Sequence, residues 1–515
     1  MERPHTVSTT KERVAIIGAG IGGMCTAARL AKAGHEVTVF ESSDRHGGKC
    51  RTEWIGNYAF DTGPSLLTLP AVYRDFFQRT GDVMGRVLEL QPVSPSFDYR
   101  FADGSAVQFA NLSRKETLAA IEKSFGNEPA REWDQIMRQA ESMWDVSREP
   151  FIESELRSVL SLLKRPTLLR DLKIIAPWKT LRDLKLKDGR LRNILDRYAT
   201  YSGSDPRVAP AVLASIAFVE EAFGAWHIKG GIGKLGDAIY QRCLDRGVKF
   251  EFNVQVAAIN HDGKSATGIT MADGRKLDYS IVVANADASM VYNKLITGKV
   301  KKLRRERSNL AKADPSLAGF SLLLGLRPAD APTGLSHHNI FFPEDYDAEF
   351  VDIFDRQQPV QDPTIYLCAP QDESMVKHAG HEAWFVLVNA PRHDARHGFN
   401  WNDKDFNHRY AMQIIGSLEA RGISIRDRLE VMEFRTPADL ERTVAAPGGA
   451  IYGTSSNGAR SAFMRAKNRS PLKGLYCVGG SAHPGGGLPL VGLSAEIVAQ
   501  AIVGKANHEV ETQEL

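Results

Sequence analysis

Apolar positions along this chain change period several times, and the changes mark its elements. Residues 13 to 17 form a short β-branched run, followed at once by Gly18, Gly20, Gly22 and Gly23. That pattern predicts a strand and a tight turn. From Gly23 the apolar residues recur at helical spacing as far as Gly34, and His35 to Glu41 then reads as a second buried strand. Later, Lys249 to Val256 alternates like a strand. Ala266 to Met271 and Lys276 to Ala284 follow it, separated by polar turns at Asp262-Gly263 and Asp273-Gly274, which predicts a hairpin-rich sheet. Phe320 to Leu326, Thr364 to Cys368, Trp384 to Asn389 and Leu429 to Phe434 read as strands of a further sheet, and 115–200 as mainly helical. Near the end, Gly474 to Gly480 reads as one more buried strand, followed by a glycine loop and a helix through Ile502. Strands and helices alternating in this way predict an α/β fold.

Composition narrows the class without naming a function. A chain of 515 residues, 43% hydrophobic and 25% charged, has the material for two or three globular domains. The net charge of +3 is too balanced to point to nucleic acid. Five scattered cysteines without a CxxC pair indicate neither a disulfide framework nor a zinc site, which fits a reducing, cytoplasmic setting. The first thirteen residues are polar and lack the apolar region of a secretory signal, and no apolar run is long enough to span a membrane.

The chemistry begins at the first turn. Gly18 permits the turn, Gly20 lets backbone approach a pyrophosphate, Gly23 allows helix against strand, and the helix start at Ile21 and Gly22 presents N–H donors to phosphate. Glu41, ending the second strand, is placed to bind ribose hydroxyls and disfavours NADP, whose 2′-phosphate it would repel. The next segment, Arg45-His-Gly-Gly48-Lys49-Cys-Arg51-Thr52, resembles the second glycine motif of the flavoproteins that include amine oxidases and carotenoid desaturases, and so implies FAD rather than NAD. Its glycines bring main chain close to the cofactor, while Lys49 and Arg51 offer positive charge to it. In the C-terminal strand, loop and helix, Gly480, Pro489 and Leu490 are candidates to face the flavin, where backbone N–H groups stabilise the negative charge built on reduction.

The chain as a whole resembles the bacterial-type phytoene and carotenoid desaturases of the amine-oxidase superfamily. The resemblance also rests on Phe60-Asp-Thr-Gly-Pro-Ser65, Trp226 to Leu235, Pro447-Gly-Gly-Ala-Ile-Tyr-Gly453, Arg465 to Pro471 and the His483-Pro-Gly-Gly-Gly487 loop. It implies that Ser65 and Leu66 lie near the flavin, that backbone at Val256 meets adenine, and that Asn285 lies beside the cofactor. It further implies FAD-driven removal of hydrogen from adjacent carbons of a long-chain isoprenoid or carotenoid, with oxygen or a quinone taking the electrons. The version of the C-terminal loop here is closer to desaturases of hydroxylated acyclic carotenoids than to those starting from phytoene. A carotenoid isomerase, an amine oxidase and a non-enzymatic prenyl-binding escort protein are the alternatives on this scaffold.

The expected organisation is a discontinuous Rossmann-like FAD-binding domain from 11–80, 225–300 and 470–505, with an inserted α+β substrate domain. Residues 81–224 form a mainly helical substrate and membrane-associating region, and 301–469 a substrate-binding sheet with helices. A polyene has few hydrogen-bonding handles, so an apolar tunnel without a charged pocket is expected. No catalytic side chain is assigned. Glu220 and Glu221 read as adjacent acids on a helix surface, or as lining of a pocket, and His483 as a loop-positioning residue or a catalytic acid or base. Residues 156–192 interleave leucines, isoleucines and Trp178 with lysines and arginines, a composition suited to an anionic lipid surface at the inner face of the cell membrane.

Overall fold

The computed structural model describes residues 11–156, 167–458 and 461–504. β1 (Arg13–Ile17), α1 (Ile21–Lys32) and β2 (Glu36–Phe40) form the expected βαβ unit, with β1 and β2 parallel and in register from Arg13 opposite Glu36 to Ile17 opposite Phe40. Four residues in a row on each strand are buried, all but Thr38 apolar, as in a strand covered on both faces. α1 buries every residue from Ile21 to Leu30. It lies against the helices Gly233–Asp245 and Leu488–Val503.

The parallel sheet is assembled from distant parts of the chain. Its strands run in the order Leu475–Cys477, Ile281–Ala284, β1, β2, Lys249–Glu251, all parallel to their neighbours. A separate three-stranded antiparallel sheet holds Val256–His261, Ala266–Met271 and Lys276–Asp278. The stretch expected as one strand from Lys249 to Val256 is therefore two. Asn253 takes a left-handed conformation at φ 57° and turns the chain between them, so that Lys249–Glu251 joins the parallel sheet and Val256 begins the antiparallel one.

All four strands read from the middle of the sequence lie in one seven-stranded sheet, ordered Leu429–Arg435, Ala318–Leu326, Glu382–Ala390, Ile365–Cys368, His338–Phe341, Phe97–Arg100, Ala106–Phe109. The last three are additions to the sequence reading. Two of them come from inside 81–224, so the helical segment and the later sheet share hydrogen bonds: Phe97–Arg100 pairs parallel with His338–Phe341. One hydrophobic cluster accordingly joins Phe97, Tyr99, Trp133, Leu195 and Tyr198 to Ile340, Phe342 and Phe350. All five cysteines are buried and unpaired.

A Cβ added at Gly23 would stand 2.3 Å from the Gly18 carbonyl oxygen, against fixed backbone, whereas one added at Gly85 meets nothing within 4 Å. Gly23→Ala is expected to lower stability by about 1–3 kcal/mol through overpacking. Gly85→Ala is expected to leave it nearly unchanged; thermal unfolding of the two variants beside the wild type checks the contrast.

Candidate functional site

Three glycine loops that are far apart in sequence meet around one side chain, Asn285, which follows the strand Ile281–Ala284. Its backbone N–H donates to the Ile17 carbonyl at 2.8 Å, and its side-chain amide donates to Gly18 O at 3.3 Å. The amide fills the space that Cβ atoms would need at four positions: 2.8 Å from such an atom at Gly20, 2.9 Å at Gly22, 3.2 Å at Gly23 and 2.7 Å at Gly479. Gly18, at φ 96°, turns its own missing side chain onto the Asn285 carbonyl. The second loop touches the first directly, because a Cβ on Gly48 would lie 3.1 Å from Gly20 Cα. The third does so at Gly479, whose Cα is 3.2 Å from a Cβ placed on Gly22.

The sequence reading reserves the bare face of Gly20 for a pyrophosphate, but its missing side chain makes room for Asn285. The helix start remains free for a ligand, since Gly20 is the N-cap of α1 and has no side chain to cap it. A dinucleotide fits this cradle: bare backbone, a helix N-terminus and an acid at the end of β2. Glu41 Oε2 accepts from Ala19 N–H at 2.7 Å, and Oε1 from Ser43 N–H at 2.8 Å, which fixes the carboxylate beside the first loop. Val256 is buried in a cluster with Ile17 and Phe40, just after Val254, whose N–H donates to Glu41 O.

Two cations share one anion at the junction. Lys49 Nζ donates to Ile451 O at 2.7 Å, and desolvation pushes its ammonium down to about 8. Arg465, 6% exposed, donates to Gly480 O at 2.7 Å and to Tyr452 O at 3.0 Å, and burial brings its guanidinium down to about 10. Asp287 is the counter-charge acting on both. One carboxylate against two cations leaves a positive balance beside the loops, which suits a diphosphate or a reduced flavin. Arg51 lies elsewhere than expected. Its guanidinium folds back onto its own loop, donating to His46 O at 3.0 Å and Arg45 O at 2.9 Å, so it braces the segment carrying Gly48.

The remaining candidates form the rim. Ser65 bonds the Tyr366 hydroxyl at 2.6 Å, and that hydroxyl bonds His338 Nδ1 at 2.8 Å. Leu66, like Tyr201 and Tyr366, packs against the buried cluster that holds Phe97 and Tyr198. Pro489 opens the helix Leu488–Val503, and the Leu490 side chain lies 3.5 Å from a Cβ placed on Gly485. Asp61, four residues before Ser65, accepts from Thr52 Oγ1 at 2.6 Å and Ile232 N–H at 2.9 Å, while burial pushes its carboxyl up to about 6. Its partners explain the glycines at 231 and 233, where the helix Gly233–Asp245 begins, since a Cβ on either would come within 2.5 Å of Thr52.

His483 positions its loop, as expected. Burial holds its imidazole down to about 4, so it is neutral, and Nε2 bonds Ser154 O at 2.9 Å. Glu220 overturns the reading of a surface acid. It is 5% exposed and accepts hydrogen bonds from the Tyr198 hydroxyl at 2.6 Å and the Tyr201 hydroxyl at 3.1 Å. Glu221 instead pairs with Arg114. Sequence reasoning missed Tyr366, His338, Tyr452 and Arg197. The aromatic-rich stretch around Arg197 was the only local signal.

Comparison with known proteins agrees with this geometry. The flavin containing amine oxidoreductase family matches residues 21–312. A 1-hydroxycarotenoid 3,4-desaturase of Flavobacterium sp. (strain P99-3) is 31% identical over 95% of this chain and 99% of its own. A hydroxyneurosporene desaturase of Rubrivivax gelatinosus is 32% identical over 95% of this chain and 93% of its own. Among solved structures, putrescine oxidase bound to putrescine shares the fold at a TM-score of 0.65 and 15% identity, over 97% of this chain and 99% of that one. With the matched family beginning at the first glycine loop and the similarity to desaturases running nearly end to end, the chain belongs to the flavin-containing amine oxidoreductases, and among them to the family of bacterial carotenoid desaturases.

Proposed function

We propose that this protein is an FAD-dependent desaturase that introduces conjugated double bonds into an acyclic carotenoid, with a hydroxylated acyclic carotenoid as substrate. The observation that supports it best is the meeting of three glycine loops around Asn285, in a chain whose relatives over nearly its full length include hydroxycarotenoid desaturases. In this reading 11–80, 225–300 and 470–505 form the FAD-binding part, and the segments between them the substrate region.

The residues divide the cofactor between them. Glu41 takes the ribose hydroxyls, the start of α1 at Gly20, Ile21 and Gly22 takes the diphosphate, and the chain at Val256 borders the adenine. Gly48, Ser65, Leu66, Gly480, Pro489 and Leu490 border the flavin end, with Lys49 and Arg465 supplying positive charge. Bound there, FAD would supply a two-electron acceptor for the hydrogen lost from adjacent carbons, with oxygen or a quinone as the expected final acceptor. The protein's own task is to hold the chain of carbons in place and keep water out. The apolar cluster of Leu66, Phe97, Tyr201 and Phe218 provides the dry wall. By its name the relative from Flavobacterium acts at carbons 3 and 4 of a molecule hydroxylated at carbon 1. With the same positions in this protein's substrate, a group that reads the hydroxyl must sit within a few bond lengths of the reacting carbons.

We also infer that the enzyme works at a membrane surface, where such a substrate is dissolved, on the cytoplasmic side. No helix among the described residues is long and apolar enough to cross a membrane. The basic, leucine-rich stretch divides: Ile175 and Leu181 are core, whereas Leu169 is 85% exposed and Trp178 67%. Arg170, Lys173 and Lys179 are exposed beside them. Apolar anchors ringed by cations suit anionic lipid. Leu160, Leu162, Leu163, Arg157, Lys164 and Arg165 of the same stretch lie outside the described residues.

Three outcomes check these readings. Purified wild type, kept anaerobic with phytoene or a hydroxylated acyclic carotenoid on liposomes, should bleach its flavin while the polyene absorption moves to longer wavelength; bleaching without that shift refutes desaturation. Glu41→Arg should lose flavin while keeping its far-UV circular dichroism, and a yellow variant refutes the ribose contact. Leu169→Ser with Trp178→Ser should weaken binding to anionic vesicles at least tenfold in a sedimentation assay, each side chain being worth about 1.5–3 kcal/mol on burial; unchanged binding refutes the anchor.

A further inference from the structure

Arg197 is a cation in the least expected place, the interior of the substrate region. It is 7% exposed, on the helix Gly189–Thr200. Its guanidinium carbon stands 4.8 Å from the centre of the Phe97 ring, 4.9 Å from Tyr201 and 6.0 Å from Tyr99. Three rings thus cage it, and Nη1 is buried without a hydrogen-bond partner. Leaving such a donor unmade in a dry interior is costly, so the site is built to receive an acceptor.

Its neighbours connect it to the glycine loops. The Arg197 charge acts on Tyr366, which bonds Ser65, and on Tyr452, whose ring would lie 2.3 Å from a Cβ on Gly486 of the C-terminal loop. His338 stacks on Phe97 with ring centres 5.2 Å apart, and its Nε2 is a second buried atom without a partner. The acceptor should be neutral. Glu220, held by Tyr198 and Tyr201, already acts on Arg197, and a carboxylate ligand would bring a second anion beside it. A hydroxyl brings a lone pair and no charge. A hydrocarbon end offers neither, and would leave Nη1 buried and unbonded.

We propose that Arg197 Nη1 donates a hydrogen bond to the hydroxyl at the end of the carotenoid, and that this contact selects hydroxylated over unhydroxylated acyclic substrates. The proposal rests on the desaturase reading and adds the residue that sets its specificity. An unmade hydrogen bond to a charged group penalises the wrong substrate by about ten- to hundredfold.

The test compares a 1-hydroxylated acyclic carotenoid with its unhydroxylated counterpart of equal conjugation, on flavin-loaded enzyme, by the rate of anaerobic flavin bleaching. Wild type should prefer the hydroxylated compound by about tenfold or more. Arg197→Met should lose that preference by slowing on the hydroxylated compound alone; a parallel fall on both, or a retained preference, overturns the proposal. Should the variant not fold, wild type carries the test by itself: a short prenyl tertiary alcohol should inhibit it at least tenfold better than the matching hydrocarbon, and equal inhibition overturns the proposal. Oxidation of both carotenoids at one rate would leave the desaturase reading standing and remove Arg197 from it, whereas oxidation of neither would remove both.

Discussion

The contact on which this structure depends is the insertion of one small amide, Asn285, into the gap between glycine turns. Side chains of ordinary size would hold the loops several ångströms apart. With hydrogen atoms in place of Cβ, backbone approaches backbone at Gly20 and Gly48 and at Gly22 and Gly479, and Asn285 closes the space beneath them. A surface of main-chain N–H groups results, rigid because it is packed from below, and bare because glycine has nothing to put above it. Such preorganisation lets a long cofactor bind without the protein having to reorganise.

That constraint also explains what the sequence revealed and what it concealed. Glycines forced by close backbone approach must stand at fixed places relative to strand ends, so Gly18, Gly20, Gly23, Gly48 and Gly480 were legible, as was the α/β class. The strands from 320 to 434 were legible for a similar reason, being continuous apolar runs in a buried sheet. Destinations of long side chains were not. Lys49 and Arg51 sit in one motif, yet one reaches carbonyls four hundred residues away and the other turns back on its own loop. Nothing within the motif distinguishes them. The break at Asn253 was equally hidden, because alternation continues across it and only the left-handed residue redirects the chain.

The substrate region departs furthest from expectation. An apolar tunnel was expected; among the buried apolar residues of this region, Arg197, Glu220, His338 and Tyr366 form a polar inset. Each looks ordinary in the sequence: an arginine on an amphipathic helix, an acid near a helix end, a histidine and a tyrosine on strands. Their meeting depends on Phe97–Arg100 pairing with His338–Phe341, a parallel contact between segments more than two hundred residues apart. Local periodicity carries no trace of such a pairing.

The order of the parallel sheet has a consequence for the newborn polypeptide. Its central strand is β1, made before the other four, and one edge strand is Leu475–Cys477, made after them all, carrying Gly479 to the contact beneath the first turn. A ribosome therefore releases the other four strands of the sheet before the cradle is complete. Any product cut short ahead of that final strand lacks one wall of it, however well its earlier segments have folded.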